Sequence, residues 1–177
     1  MRDKNLRRMR IAVVTGAVAA GSIAAAAPAM AGTTTATPAC KAANLTVRLT
    51  HIDAGAGQRY ATLDFTTKKT CVLRNNLKGF TYAVPGKKGK TRNVSVHTYR
   101  DTGYSAKQAV VLKPSKHGKG GTVGHLVVHW SAVADKQIAP KALKFNLPAA
   151  GGRATVTWKQ LVDGDLRLGI GALSLHR

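Results

Sequence analysis

Leu45-Thr46-Val47-Arg48-Leu49-Thr50 and, beyond a Gly55-Ala56-Gly57 break, Ala61-Thr62-Leu63-Asp64-Phe65-Thr66 decide the fold class. Apolar and polar side chains alternate strictly in both stretches, and a period of two puts the apolar set on one face of a strand. The intervening glycines accept positive φ without steric cost, so the chain reverses there. The pattern continues through Phe80, Tyr82 and Val84, and through Val94, Val96 and Thr98. It returns over Ala109–Leu112, Leu126–Trp130, Leu143–Leu147, Thr155–Leu161 and Leu166–Ile170, with Leu173 and Leu175 extending the last run.

The connections carry turn chemistry: Pro85-Gly86, Lys88-Gly89, Asp101-Thr102-Gly103, Pro114-Ser115 and Asp163-Gly164. Residues 116–121, with three glycines and two lysines, read as a flexible surface loop. A short helical turn is expected only within Ser131–Lys141, ahead of Pro140. Short strands spaced by turns in one domain predict an all-β fold, an Ig-like antiparallel β-sandwich of about eight to nine strands.

The N-terminus has the three regions of a secretory signal peptide. Arg2, Lys4, Arg7, Arg8 and Arg10 precede an Ala-rich apolar stretch, Ile11–Ala27, and Ala29-Met30-Ala31 offers a small-residue cleavage site. The apolar stretch is short for a membrane span, which needs about 20 residues. Cleavage after residue 31 is therefore expected, with export as a secreted protein and no transmembrane segment thereafter. Arg7-Arg8 is a twin-arginine pair, but Arg10 stands where that signal prefers an apolar residue, which favours the general secretory route. Residues 32–39 read as a Thr/Ala-rich lead and 40–177 as one domain.

Cys40 and Cys71 are the two cysteines, an even count in an exported chain, and are expected to form a disulfide. Cys40 precedes the first strand, so the bridge should pin the N-terminal segment to the start of the third. Thr37-Pro38-Ala39 is a poor lipobox, which argues against a lipid anchor on Cys40.

Cys40, the Leu45–Leu49 strand, the run from Ala54 to Thr66 and Thr70-Cys71-Val72-Leu73 resemble the opening of an actinobacterial family catalogued as domain of unknown function 4232. Lys78-Gly79-Phe80 and Pro85-Gly86 stand loosely for its next turn, and Val110–Pro114 and Val127–Trp130 fit its later strands. The resemblance implies a β-sandwich outside the cell and brings no catalytic residues. The second cysteine pair of many members is missing.

Most catalytic chemistries lack their residues here. His125 and His129 have a zinc spacing only on a helix. On a strand they stand roughly 13 Å apart, too far for one ion, so they read as surface or half-buried strand histidines. There is no Glu in the chain, and Asp163-Gly164-Asp165 reads as a turn rather than an acid pair. No Gly-x-Ser-x-Gly elbow occurs. Trp130 and Trp158 read as core, and the Asn44 and Asn93 triplets as incidental glycosylation matches. The expectation is a non-enzyme with no cofactor and no metal.

Charge is the positive clue. Five of the 28 basic residues and one of the seven acids lie in the first 31, so residues 32–177 keep 23 Lys or Arg against six Asp, a net of +17. Between Lys68 and Lys119 stand 13 basic residues and a single acid, Asp101. Candidate polyanion contacts are Lys68, Lys69, Lys87, Lys88, Lys90, Arg92, Lys113, Lys116 and Lys119. If their loops meet at one end of the sandwich, they form a basic rim that attracts anionic wall polymers or acidic polysaccharide. Nucleic acid would bind only non-specifically, since lysine suits point-charge contacts and aromatics interleave poorly with these loops. The sequence reading is thus a secreted, monomeric binding module of the cell envelope. Its alternatives are a protein-partner module, such as an adhesion domain or protease inhibitor, and, third, an envelope hydrolase.

Overall fold

The computed structural model describes residues 36–115, 120–133 and 135–176. The expected signal peptide, Lys116 and Lys119 lie outside the described residues. The described chain is all strand, turn and two single 3-10 turns, and its strands are β1 Leu45–Gly55, β2 Gln58–Thr67, β3 Cys71–Arg74, β4 Lys78–Pro85, β5 Thr91–Ser95, β6 His97–Arg100, β7 Ala109–Leu112, β8 Val123–Ser131, β9 Gln137–Ile138, β10 Ala142–Asn146, β11 Arg153–Thr157, β12 Val162–Asp163 and β13 Arg167–His176.

The opening hairpin forms as its sequence dictates. Gly55 pairs with Gln58, leaving Ala56 and Gly57 as a two-residue loop with φ of 45° and 77°. Both central residues at positive φ define the primed turn whose twist matches that of the flanking strands. β2 then buries Ala61, Leu63 and Phe65 and turns Thr62 and Asp64 outward.

Two sheets face each other. The first has the order β1-β2-β8-β13-β6 and the second β11-β10-β4-β5. Leu63, Phe65, Leu126, Val128, Trp130, Leu168 and Ile170 of the first meet Tyr82, Leu143, Phe145, Val156 and Trp158 of the second group in one core. Trp130 packs 4.7 Å from Trp158 and Phe65 6.0 Å from Phe145, ring centre to ring centre. Both tryptophans are fully buried, as the period-two reading requires. A side chain of this class contributes about 1.5–3 kcal/mol by leaving water.

The sandwich stands as expected, with three refinements. Short ribbons β3–β7 and β9–β12 raise the strand number above eight or nine. The Val94–Thr98 run is two strands, because the chain crosses between sheets at Val96, whose N–H bonds Phe80 C=O. β6 consequently enters the first sheet parallel to β13, the one exception to antiparallel pairing among the described strands. The helical turn expected within Ser131–Lys141 is corrected: Gln137–Ile138 is a strand paired with Val162–Asp163. Tertiary pairing overrides a weak local preference there.

Cys40 and Cys71 are bonded. Cys71 opens β3, and backbone hydrogen bonds Cys40 N–H to Val72 C=O (3.0 Å) and Val72 N–H to Pro38 C=O (2.8 Å) stitch the N-terminal segment alongside. A disulfide forms and persists in an oxidising compartment. No helix among the described residues is long and apolar enough to cross a membrane.

Candidate functional site

The register fixes where the basic loops lie. Leu45 pairs with Thr67 at one end of the first sheet, and Phe65 pairs with Gly124 near it, so Lys68, Lys69, Lys113 and Thr122 lie at that end. Lys113 N–H donates to Thr122 Oγ1 (2.8 Å), and Thr122 N–H to Lys113 C=O (3.1 Å). Lys68 N–H donates to Asn44 C=O, and the Thr67 hydroxyl bonds Lys69 C=O at 2.6 Å. Arg48, Asp64, Lys68, Lys113 and Thr122 therefore line one open depression of about 1170 Å³.

Its charge is one-sided. Asp64 is the acid there, and its Oδ1 lies 2.9 Å from His125 Nδ1. Among the described residues the carboxylates within 4 Å of a basic side chain are those beside histidines, His125–Asp64 and His129–Asp101; Asp64 stands opposite Arg48 in the strand register, and Lys68 and Lys113 face solvent with no carboxylate that close.

Lys87, Lys88, Lys90 and Arg92 do not join this group. Phe65, near the Lys68 end, packs on Phe145, whereas Trp130, near the other end, packs on Trp158. That orients the second sheet, because Asn146 pairs with Lys78 and Ala142 with Ala83. β4 therefore runs away from the Lys68 end, and the hairpin after Pro85 lies at the opposite end. The hairpin is tight: Gly86 N–H reaches Lys90 C=O (2.7 Å), with Lys88 at φ 55° and Gly89 at 72°. The condition for a single rim, that these loops meet at one end, is not fulfilled: the alternation of strand direction sends successive turns to opposite ends and gives two separate basic patches.

A third feature was not read from the sequence. Outward-facing residues of the first sheet align in rows: Tyr60 pairs with His129, His129 with Gly169, and Gly169 with Tyr99. His129 lies across Gly169, where a Cβ would collide with the imidazole. Its Nδ1 sits 2.7 Å from Asp101 Oδ2 and its Nε2 2.6 Å from Tyr99 Oη. Asp101 and Tyr99 thus stand against opposite nitrogens of one imidazole. Burial, then the Asp101 charge and Tyr60, push the Tyr99 phenol above its ordinary pKa, against a smaller opposing effect of Arg167. Tyr99 is therefore a neutral phenol at neutral pH, and the trio orients rings without supplying a phenolate.

The next row holds Gln58 paired with Ser131 and Arg167 paired with His97. With Tyr99 and the Asp163–Asp165 turn these residues line a cleft of about 700 Å³. The turn is as read: Asp165 N–H donates to Asp163 Oδ1 at 3.0 Å. The two histidines of the zinc-like spacing serve different carboxylates, and His129 is more deeply buried than the surface or half-buried reading allowed. No group of three His, Cys, Asp or Glu among the described residues is placed to hold a metal ion. Four scattered residues on four strands, with a glycine as spacer, leave no linear motif to detect.

No family model, curated protein or solved structure matches the chain.

Proposed function

We propose that the protein is an exported, monomeric, non-catalytic module that holds anionic polymers of the cell envelope against the basic depression formed by Arg48, Lys68 and Lys113. The observation that carries this reading is that three cations from β1, the end of β2 and the end of β7 line one concavity against a single acid, Asp64. Lys69 adds charge beside them. A concave wall concentrates the field of the cations it bears and raises the local concentration of a polyanion. Two lysines and one arginine on flexible stems contact phosphate or carboxylate groups of many spacings, which suits a repeating polymer better than one small ligand. The hairpin patch at Lys87–Arg92 lies at the other end of the sandwich and is not part of this grip. The envelope location accords with the Cys40–Cys71 bond and with the resemblance of residues 40–73 to exported proteins.

The test is binding of the mature protein to heparin and to purified anionic wall polymer over a salt series. Affinity should fall steeply from 50 to 500 mM salt, and K68A/K113A should flatten the slope. Equal binding at both salt levels would refute the reading.

A further inference from the structure

The cleft on the outer face of the first sheet is separate from both basic patches, and its chemistry differs from theirs. Tyr60 and Tyr99 are 45 % and 41 % exposed, yet each packs against the same buried imidazole, at ring-centre distances of 5.4 Å and 5.1 Å from His129. The planes differ by 35° on the Tyr60 side and 73° on the Tyr99 side. Tyr99 lines the cleft, and Tyr60 lies beside it on the other side of His129. A solvent-exposed aromatic on a strand is ordinary, but two held by a histidine that is itself clamped by Asp101 and seated over a glycine form a built, rigid surface.

The polar groups beside it are mixed. Asp163 and Asp165 offer acceptors, Arg167 offers donors, and Gln58, Ser131 and His97 offer both. Gln58 Oε1 is buried and has no partner among the described residues. An anionic ligand would meet two carboxylates there, and an ammonium ligand would meet the Arg167 guanidinium. A neutral polyol uses both kinds of group, and the apolar faces of its rings stack on tyrosines.

We infer that this cleft, together with the exposed Tyr60 ring beside it, binds a neutral pyranose oligosaccharide, stacked on Tyr99 and Tyr60 and hydrogen-bonded by Gln58, Asp163, Asp165 and Arg167. The inference does not rest on the polyanion reading, and salt separates the two, since stacking and neutral hydrogen bonds are insensitive to ionic strength.

The experiment is titration of the mature protein with the hexamers of β-1,4-linked glucose, α-1,4-linked glucose and β-1,4-linked N-acetylglucosamine, followed by calorimetry and by backbone amide shifts. At least one hexamer should bind equally at low and high salt and shift amides of β2, β6 and the start of β13. Y60A and Y99A should each weaken it about fivefold to tenfold, from the loss of one aromatic contact. Y60F should retain binding, and K68A/K113A should leave it unchanged. Binding by none of the three, affinity unaltered in both alanine variants, or shifts confined to another face would overturn the inference.

Discussion

Replacing both cysteines by alanine tests the mechanical account of the N-terminal segment. The bond joins residues 31 apart, and the loop it closes contains all of β1 and β2, the edge and second strands of the first sheet. Chain-entropy arithmetic for a loop of that length removes about 12 cal/mol/K from the unfolded ensemble, or about 3.7 kcal/mol at 25 °C. Both sulfurs are buried, so truncation adds a small cavity cost of about 1 kcal/mol. The backbone bonds between Pro38, Cys40 and Val72 survive the substitution and resist fraying. The expected loss is therefore about 3–5 kcal/mol, equivalent to a Tm lowered by about 6–20 °C for a domain of this size. Urea unfolding followed by tryptophan fluorescence reads it directly, because Trp130 and Trp158 lie in the shared core. A lower midpoint with an increased m-value is expected, as the unbridged chain expands on unfolding. A change below about 1 kcal/mol would show that the bond constrains nothing that the sheets do not already fix.

Tyr82 is fully buried, its hydroxyl has no partner among the described residues, and burial pushes its pKa far above the ordinary phenol value. A raised folded pKa means stability is intact below about pH 10 and is lost as pH rises past the unfolded phenol's pKa. Y82F should consequently be neutral or stabilising by about 1 kcal/mol and should extend the alkaline limit in pH-dependent unfolding; unchanged alkaline sensitivity would count against it. Asn75, fully buried, donates through Nδ2 to Gln108 Oε1 (2.9 Å) and Gly171 C=O (3.0 Å), tying the β3–β4 link to β13. N75A should cost about 1–3 kcal/mol by removing both bonds, although Gln108 Oε1 keeps the Leu173 N–H (3.1 Å), and a thermal melt unmoved by it would contradict the assignment. G169A should displace the His129 imidazole, visible as altered ring shifts of His129 and Tyr99, with a destabilisation of about 1–3 kcal/mol. An unchanged His129 signal would show that the imidazole does not lie across Gly169.

The two-sheet fold was legible because period-two alternation marks the buried face of each long strand, from Leu45 through Ile170. The paired turn at Ala56-Gly57 was legible for the same kind of local reason, and the Cys40–Cys71 bond from an even cysteine count in a chain read as exported. Topology was not: nothing local to Val96 announces that the chain changes sheets there, or that β6 will run parallel to β13. The short pairing of Gln137–Ile138 with Val162–Asp163 depends on contacts distant in sequence, so a local reading favoured a helical turn instead. The basic loops were visible as composition, but which loops meet follows from strand direction. That separates Lys68 and Lys113 from Lys87–Arg92. The row Tyr60–His129–Gly169–Tyr99 was hidden because its members are 30 or more residues apart and pair only through the sheet register.

The central claim is a salt-sensitive grip on polyanions at one end of the sandwich. The most direct measurement is the slope of log affinity for heparin against log salt, for the parent protein, K68A/K113A and K87A/K88A. A protein that grips with Arg48, Lys68, Lys69 and Lys113 should show a slope of about −3 to −4, falling by about 2 in K68A/K113A and less in K87A/K88A. A shallow slope in the parent protein, or one reduced equally by the two variants, would contradict it.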